Sequence, residues 1–364
     1  MSHRPFTSQY MKRYYILFIS FFCLYQLQAQ TTYPTNGVND PRQGHYAFTN
    51  ATIYVDYNKK IDNGTLIIKE GKVVEVAQGS KTPKSAIIVD CKGKTIYPSF
   101  IETFSNYGIP DAKPAGEGRR QDQQLVSDKK GAYYWNEAIK PETQAHEMFT
   151  VNKDQAKMLR KIGFGTVIAH QVDGIARGTG TLVVLNEEPE NDVILKDRVS
   201  AHYSFRRGVS KQSYPSSLMG SIALLRQAYL DGAWYKNQGY KEEYNISLDH
   251  WNQTQNLPAI IDAGNWDDIL RADKVGDEFG VQYIIRGKGN EYQRLDAVKA
   301  TNATLIIPVK YPEAYKVEDP LQAHYVDLKE LKHWELAPYN LGRVAKANIP
   351  FAITSSTLKD KSAF

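Results

Sequence analysis

After Pro98 the sequence alternates between short apolar runs and stretches with helical periodicity, and this alternation constrains the fold more than any other feature. Short apolar runs are typical of buried strands. Strands that alternate with helices form a parallel sheet with the helices outside. The predicted strands are residues 100–104, 165–169, 200–205, 259–263, 281–285, 304–309 and 351–354, and the predicted helices are residues 154–162, 218–235, 266–279, 291–300 and 328–347.

Seven predicted strands, with one missed, favour an α/β fold built as a (β/α)8 TIM-like barrel. An open doubly wound sheet is the alternative. The chain ends ten residues after the last predicted strand, with no helix to cover it. We therefore expect the barrel to be incomplete at its C-terminal end, and the chain to be a fragment or the first part of a longer protein.

Residues 46–97 have a different pattern, in which β-branched runs are separated by turn signals. Asn63-Gly64, Glu70-Gly71 and Lys92-Gly93 mark three turns, and Asn-Gly between β-branched runs is a strong hairpin signal. The sequence therefore predicts a small β-sandwich domain over residues 30–97, with partner strands from elsewhere, before a barrel over residues 98–364.

The N-terminus has the pattern of a secretory signal peptide. Lys12 and Arg13 precede an apolar run over residues 14–25, and Ala29 offers a cleavage site. This run is too short to span a membrane. We expect residues 1–29 to be removed, the protein to be exported to the periplasm or the extracellular space, and no membrane span to remain. A buried N-terminal helix is the alternative.

The predicted mature chain has 42 basic and 40 acidic residues, which argues against a nucleic-acid partner. It keeps a single cysteine, Cys91, so an internal disulfide is not possible. Stability must therefore come from the core.

Several segments resemble the amidohydrolase superfamily, in its imidazolonepropionase-like branch. In that branch a small β-sandwich leads through a D-x-x-G-K-x-V-x-P-G-x-I-D stretch into the first barrel strand. The matching segments are FTNATIY (48–54), NGTLIIKEGKVVEV (63–76), VDCKGKTIYPSFIE (89–102), KIGFGTV (161–167), LPAIIDA (257–263) and IPFAITS (349–355).

The resemblance implies hydrolysis of C–N bonds in amides, cyclic amides or peptides, with zinc or another divalent metal at the C-terminal mouth of the barrel. It also shows what this chain lacks. The first His-x-His pair of the family matches Phe104-Ser105-Asn106, the next His matches Asp262, the following one falls near Arg286, and the last Asp matches Ser355. A metal needs several lone-pair donors, so we expect no metal site and no cofactor in this segment.

Other polar residues lie at or just past predicted strand ends and could face the barrel mouth. The catalytic candidates are Asp262, His170 and Glu102, and the binding candidates are Asn106, Arg206, Arg286 and Ser355. Each has a structural alternative. His170 could be a capping or core imidazole, Asp262 could pair with Arg286 across adjacent strands, and Arg206-Arg207 could be solvated. Arg177-Gly-Thr-Gly180 reads as a plain turn, or as a nest for an anion.

Two functions remain open from the sequence. In the first, the whole protein is a metal-dependent amidohydrolase, this chain is its degenerate front module, and its main partner is its own C-terminal continuation. In the second, the chain is a non-catalytic binding or scaffold module that takes a small-molecule or peptide ligand. A metal-free hydrolase with Glu102 or Asp262 as the base is a third, weaker idea.

Overall fold

The computed structural model describes residues 44–79, 81–113, 127, 129–315 and 317–364. The predicted signal peptide lies outside these residues. Within them, no helix combines the length and the apolar character that crossing a membrane requires. The chain forms two compact units, which divide between Pro98 and Ser99.

The first unit contains one five-stranded sheet. Its central strand β1 pairs antiparallel with β2, β2 pairs antiparallel with β3, and β4 and β5 both pair parallel with β1. The described residues thus supply a single layer, and the sandwich stays a prediction. The strands are β1 (His45–Tyr54), β2 (Lys60–Lys69), β3 (Lys72–Gln78), β4 (Ile87–Asp90) and β5 (Thr95–Ile96).

Two of the three predicted turns are correct and one is wrong. Lys92 and Gly93 form a turn between β4 and β5, in which Lys94 N donates to the Cys91 carbonyl at 2.8 Å. Glu70 and Gly71 join β2 to β3 with φ angles of 50° and 73°, as a two-residue hairpin turn requires. Asn63 and Gly64, by contrast, lie inside β2, where Gly64 pairs with Ala51 at a register shift. The positive φ of Asn63 therefore serves an irregularity in the strand and not a turn.

The second unit contains an eight-stranded sheet that runs in unbroken chain order from β6 to β13. This order never reverses, as it would in a doubly wound sheet, so the barrel is the correct choice of the two. The strands are β6 (Phe100–Ser105), β7 (Phe164–Ala169), β8 (Ala176–Val184), β9 (Ile194–Ser204), β10 (Ala259–Gly264), β11 (Ile284–Gly287), β12 (Thr304–Pro308) and β13 (Phe351–Thr354).

Strand β8 is the one that the sequence pattern missed, and it runs antiparallel to both of its neighbours, β7 and β9. It contains Arg177-Gly-Thr-Gly180, so the prediction of a turn or an anion nest there was wrong. The glycines allow close packing. A Cβ on Gly178 would lie 1.9 Å from the carbonyl oxygen of Thr143, and one on Gly180 would lie 2.6 Å from Nε2 of His202.

Helices pack outside the sheet, and the main core lies between the two layers. Leu224, Leu225 and Ala228 of one long helix are buried there, together with Ile261 and Ile285 of the sheet. The helices are α1 (Ala145–Met148), α2 (Lys153–Lys161), α3 (Glu190–Val193), α4 (Leu218–Asn237), α5 (Ile246–Thr254), α6 (Trp266–Phe279), α7 (Leu295–Ala300), α8 (Pro320–His324), α9 (Leu328–Leu336) and α10 (Asn340–Lys346).

A buried carboxylate connects the first barrel strand to the last. Glu102 of β6 is 1% exposed. Its Oε1 accepts hydrogen bonds from Thr354 Oγ1 (2.5 Å) and Phe104 N (3.2 Å), and its Oε2 accepts from both the backbone nitrogen and Oγ of Ser355, each at 2.7 Å. Strands β6 and β13 form no backbone ladder. Side-chain bonds through Glu102 therefore close the barrel at this seam.

We expect Glu102→Gln to lower the free energy of unfolding by about 2 kcal/mol. The new amide group would face the Ser355 donors with a donor of its own, and buried donors without an acceptor are costly. Urea unfolding, compared with Glu188→Gln at an exposed position, measures the difference. Equal stability of the two variants would show that the seam does not depend on this carboxylate.

Candidate functional site

Three charged side chains meet at the carboxyl ends of β10 and β11. Asp262 and Arg286 are partners in the parallel register, and Arg286 Nη1 donates to Asp262 Oδ1 at 2.7 Å, which confirms the predicted pairing. Arg177 of β8 donates to the other oxygen, Oδ2, from Nη2 at 3.3 Å and Nη1 at 3.4 Å. Because β8 is antiparallel, its first residues reach the same end of the barrel as the ends of the parallel strands.

All three side chains are buried, with exposed fractions of 2% for Asp262, 2% for Arg177 and 8% for Arg286. Burial alone would raise the pKa of Asp262, but the charges of Arg177, Arg286 and Arg206 outweigh it and lower that pKa. Burial lowers the pKa of Arg177 to about 10, against the opposing effect of Asp262. At neutral pH the cluster therefore holds two cations and one anion.

A stacked pair of imidazoles lies beside this cluster. His170 follows β7, His202 belongs to β9, and their ring centroids are 3.7 Å apart with nearly parallel planes. Phe104 contacts His170 edge-on, and the Arg286 guanidinium carbon lies 4.5 Å from the Phe104 ring centroid. His202 bonds to Ser200, while neither ring nitrogen of His170 has a hydrogen-bond partner among the described residues. His170 is thus a packed core residue.

The remaining candidate residues divide between the seam and the surface. Glu102 and Ser355 bond to each other. Asn106 is exposed and donates to Asp111 at 3.4 Å. Arg206 is exposed at the end of β9, whereas Arg207 donates to the Gln212 carbonyl at 2.8 Å. Of the seven candidates, the structure therefore brings together two pairs, Asp262 with Arg286 and Glu102 with Ser355.

A cavity of about 790 Å³ opens at the mouth, beside Arg286 and Arg206. It lies beyond the ends of β10, β11 and β12. Its lining mixes basic, amide and aromatic side chains, and Trp266 Nε1 donates to Gln293 Oε1 at 3.0 Å within it. A cavity of this size suits a small molecule.

Sequence comparison and structure comparison differ in what they find. No protein-family model and no curated protein matches the sequence. The fold is similar to that of an amidohydrolase from Thermotoga maritima MSB8, at 20% identity and a TM-score of 0.62, over 87% of this chain and 80% of that one. The chain shares the fold of that amidohydrolase.

Two further solved structures are less similar. A prolidase in complex with N-methylphosphonate-L-proline is 12% identical, with a TM-score of 0.42, over 88% of this chain and 80% of that one. Another amidohydrolase is also 12% identical, with a TM-score of 0.42, over 87% of this chain and 79% of that one.

The side chains at the mouth of this amidohydrolase fold do not fit a divalent cation. Asp262 is bonded to two guanidinium groups, which would repel a metal, and Phe104 offers no lone pair. Ser355 is bonded to Glu102. Across the described ranges, no three side chains of His, Cys, Asp or Glu converge on one point.

Two residues of the site were missed by sequence reasoning. Arg177 was assigned to a turn, because the glycines around it hid the strand. His202 lies in a predicted strand, in which alternate residues face the same side. Ser200, His202 and Ser204 are spaced two residues apart and so share one side of the strand. This polar side was the available signal that the ring of His202 points into the barrel, where it bonds to Ser200.

We expect Asp262→Asn to lower the free energy of unfolding by about 3 kcal/mol or more, because it leaves two buried cations without an anion. Asp267→Asn is the matched control. Asp267 also bonds to an arginine at 2.7 Å, but both partners are about 40% exposed, and an exposed pair contributes about 1 kcal/mol at most. Chemical denaturation of both variants measures the difference, and equal losses would contradict the role of the buried pair.

We also expect the histidine pair to make the free energy of unfolding decrease as the pH is lowered. Burial lowers the pKa of His202 to about 3 and that of His170 well below its ordinary value, and the positive charge of Arg177 adds to both effects. An unfolded histidine titrates near pH 6.5, so between pH 6 and pH 4 the unfolded chain binds protons that the folded chain does not. The stabilisation is complete above about pH 6.5 and is lost as the pH falls.

The substitution His170→Leu should therefore remove about 1.4 kcal/mol per pH unit from the decrease in unfolding free energy below about pH 6. Urea unfolding at several pH values measures this slope, and the same substitution at exposed His324 is the control. An unchanged slope in His170→Leu would show that this imidazole titrates normally.

Proposed function

We propose that the barrel unit is a non-catalytic binding module that has kept the amidohydrolase fold without its metal chemistry. One observation carries the proposal. At the position that resembles a metal-binding histidine of the family, Asp262 is bonded to Arg286 and Arg177 in a buried cluster. A guanidinium binds anions and repels cations, so this cluster favours an anionic ligand site over a metal centre.

The two carboxylates that are candidate bases, Asp262 and Glu102, are both already engaged in hydrogen bonds. A general base needs a lone pair within reach of water and a pKa near neutrality. Both oxygens of Asp262 accept from arginine, and its pKa is lowered. Both oxygens of Glu102 each accept two hydrogen bonds. Neither carboxylate is therefore free to act as the base of a metal-free hydrolase.

The cavity supports binding as the retained function. It stays open at the end of the barrel where ligands of this architecture bind. Its lining includes Trp266 and Tyr311, whose rings can contact an apolar ligand, and Asn290 and Gln293, whose amides can orient one.

We expect the purified protein to contain much less than one zinc ion per chain, even when it is expressed with added zinc. Elemental analysis after dialysis measures the content, and a chelator should leave the melting temperature unchanged because no metal contributes to folding. One tightly held metal ion per chain, with a melting temperature that falls on chelation, would overturn the proposal.

A further inference from the structure

We propose that the cavity binds a small organic molecule with one oxyanionic group, a carboxylate or a phosphate, attached to a flat apolar body. This inference rests on the proposed function, because it names the class of ligand for the same barrel mouth. Three observations support it: the charge of the buried cluster, the unused hydrogen-bond donors of Arg286, and the aromatic side chains Trp266 and Tyr311 in the cavity lining.

The buried cluster has more positive than negative charge. Arg177 and Arg286 share the single carboxylate of Asp262, and in the described ranges neither guanidinium is within ion-pair distance of another acid. A buried cation without a full counter-charge is costly. An anion bound beside Arg286 would balance the cluster.

Arg286 also has unused hydrogen-bonding capacity. It lines the cavity, its Nε has no hydrogen-bond partner among the described residues, and its Nη2 reaches only Ser356 Oγ, at 3.3 Å. A buried donor without an acceptor is unfavourable. A planar guanidinium matches the geometry of a carboxylate or phosphate, so an oxyanion is the ligand group that such a side chain recognises best.

The outer part of the lining adds cations that have no close ion-pair partner among the described residues. These are Arg206, Lys288, Lys310 and Lys329.

The three acidic residues of the lining already have partners. Asp267 bonds to Arg271. Asp327 and Glu330 bond to each other's backbone nitrogen as the N-terminal cap of α9. These three acids are outnumbered in the lining by five basic side chains, so the lining presents a net positive field to a ligand, which favours entry of an anion.

The rest of the lining indicates the body of the ligand. Trp266 and Tyr311 offer aromatic surface, and Pro308 and Pro312 add apolar surface. A cavity of about 790 Å³ is within the range that holds small organic ligands. A bare inorganic ion would leave this apolar surface in contact with water, so the observations favour an organic anion.

The test compares benzoate with benzamide, which has the same size and shape but no charge. Isothermal titration of the purified protein at low ionic strength should show benzoate binding at least about tenfold more tightly, a difference of about 1.4 kcal/mol. Phenyl phosphate forms the second arm, and tighter binding than benzoate would assign the oxyanion to phosphate. Equal binding of benzoate and benzamide, no binding of either anion, or inorganic phosphate binding as tightly as both would overturn the proposal.

A pair of variants locates the binding. Arg206→Gln should weaken benzoate about tenfold and leave benzamide unchanged, since only the anion interacts with the removed charge. Arg198→Gln is the matched control, because Arg198 contacts Gln253 and is not part of the lining. The same loss in both variants, or none in Arg206→Gln, would place binding elsewhere.

The zinc analysis of the same preparation separates this inference from the proposed function. A metal-free protein that binds neither benzoate nor phenyl phosphate overturns the ligand class alone. A protein with one tightly held zinc ion per chain overturns the binding-module proposal itself.

Discussion

The bonds between one buried carboxylate and two arginines determine the character of the barrel mouth. Asp262 joins β10 to β11 through Arg286 and to β8 through Arg177. Since both guanidinium groups depend on the same acid, replacement of Asp262 leaves two buried cations without an anion. The excess charge of the cluster is positive, and this charge is the ground on which we propose an anionic ligand. The same contacts thus join three strands of the barrel and support the proposed ligand class.

The barrel could be predicted from the sequence wherever the elements are regular. Helix α6 lies at residues 266–279 and strand β13 at residues 351–354, as their apolar periodicity indicates. Strand β8 could not be found in this way, because Arg177, Gly178 and Gly180 do not resemble a β-branched run. Its glycines are required by contacts with Thr143 and His202, which lie far away in sequence. A tertiary constraint of this kind leaves no local pattern.

The site was predictable in part, and for a similar reason. The pairing of Asp262 with Arg286 follows from their places at the ends of successive parallel strands. The bond from Arg177 does not follow, because it depends on the reversed direction of a strand that was not predicted. Glu102 was a reasonable candidate base from its position, but only the structure shows that both of its oxygens accept hydrogen bonds from Thr354 or Ser355 across the seam. The position of a residue along the chain indicates which side chains can lie close to it. Its hydrogen-bond partners, which only the structure shows, determine whether it is free to act as a base.

The seam at Glu102 has a consequence for how the protein is made. Its bond to Ser355 joins residues 253 positions apart. During synthesis, strand β6, which carries this carboxylate, leaves the ribosome long before strand β13. The barrel therefore cannot close until both strands have emerged. Contacts of such long sequence separation slow folding and prolong the exposure of apolar edges. During this time the unpaired strand edges can aggregate, so a chaperone that covers them would raise the yield of folded protein.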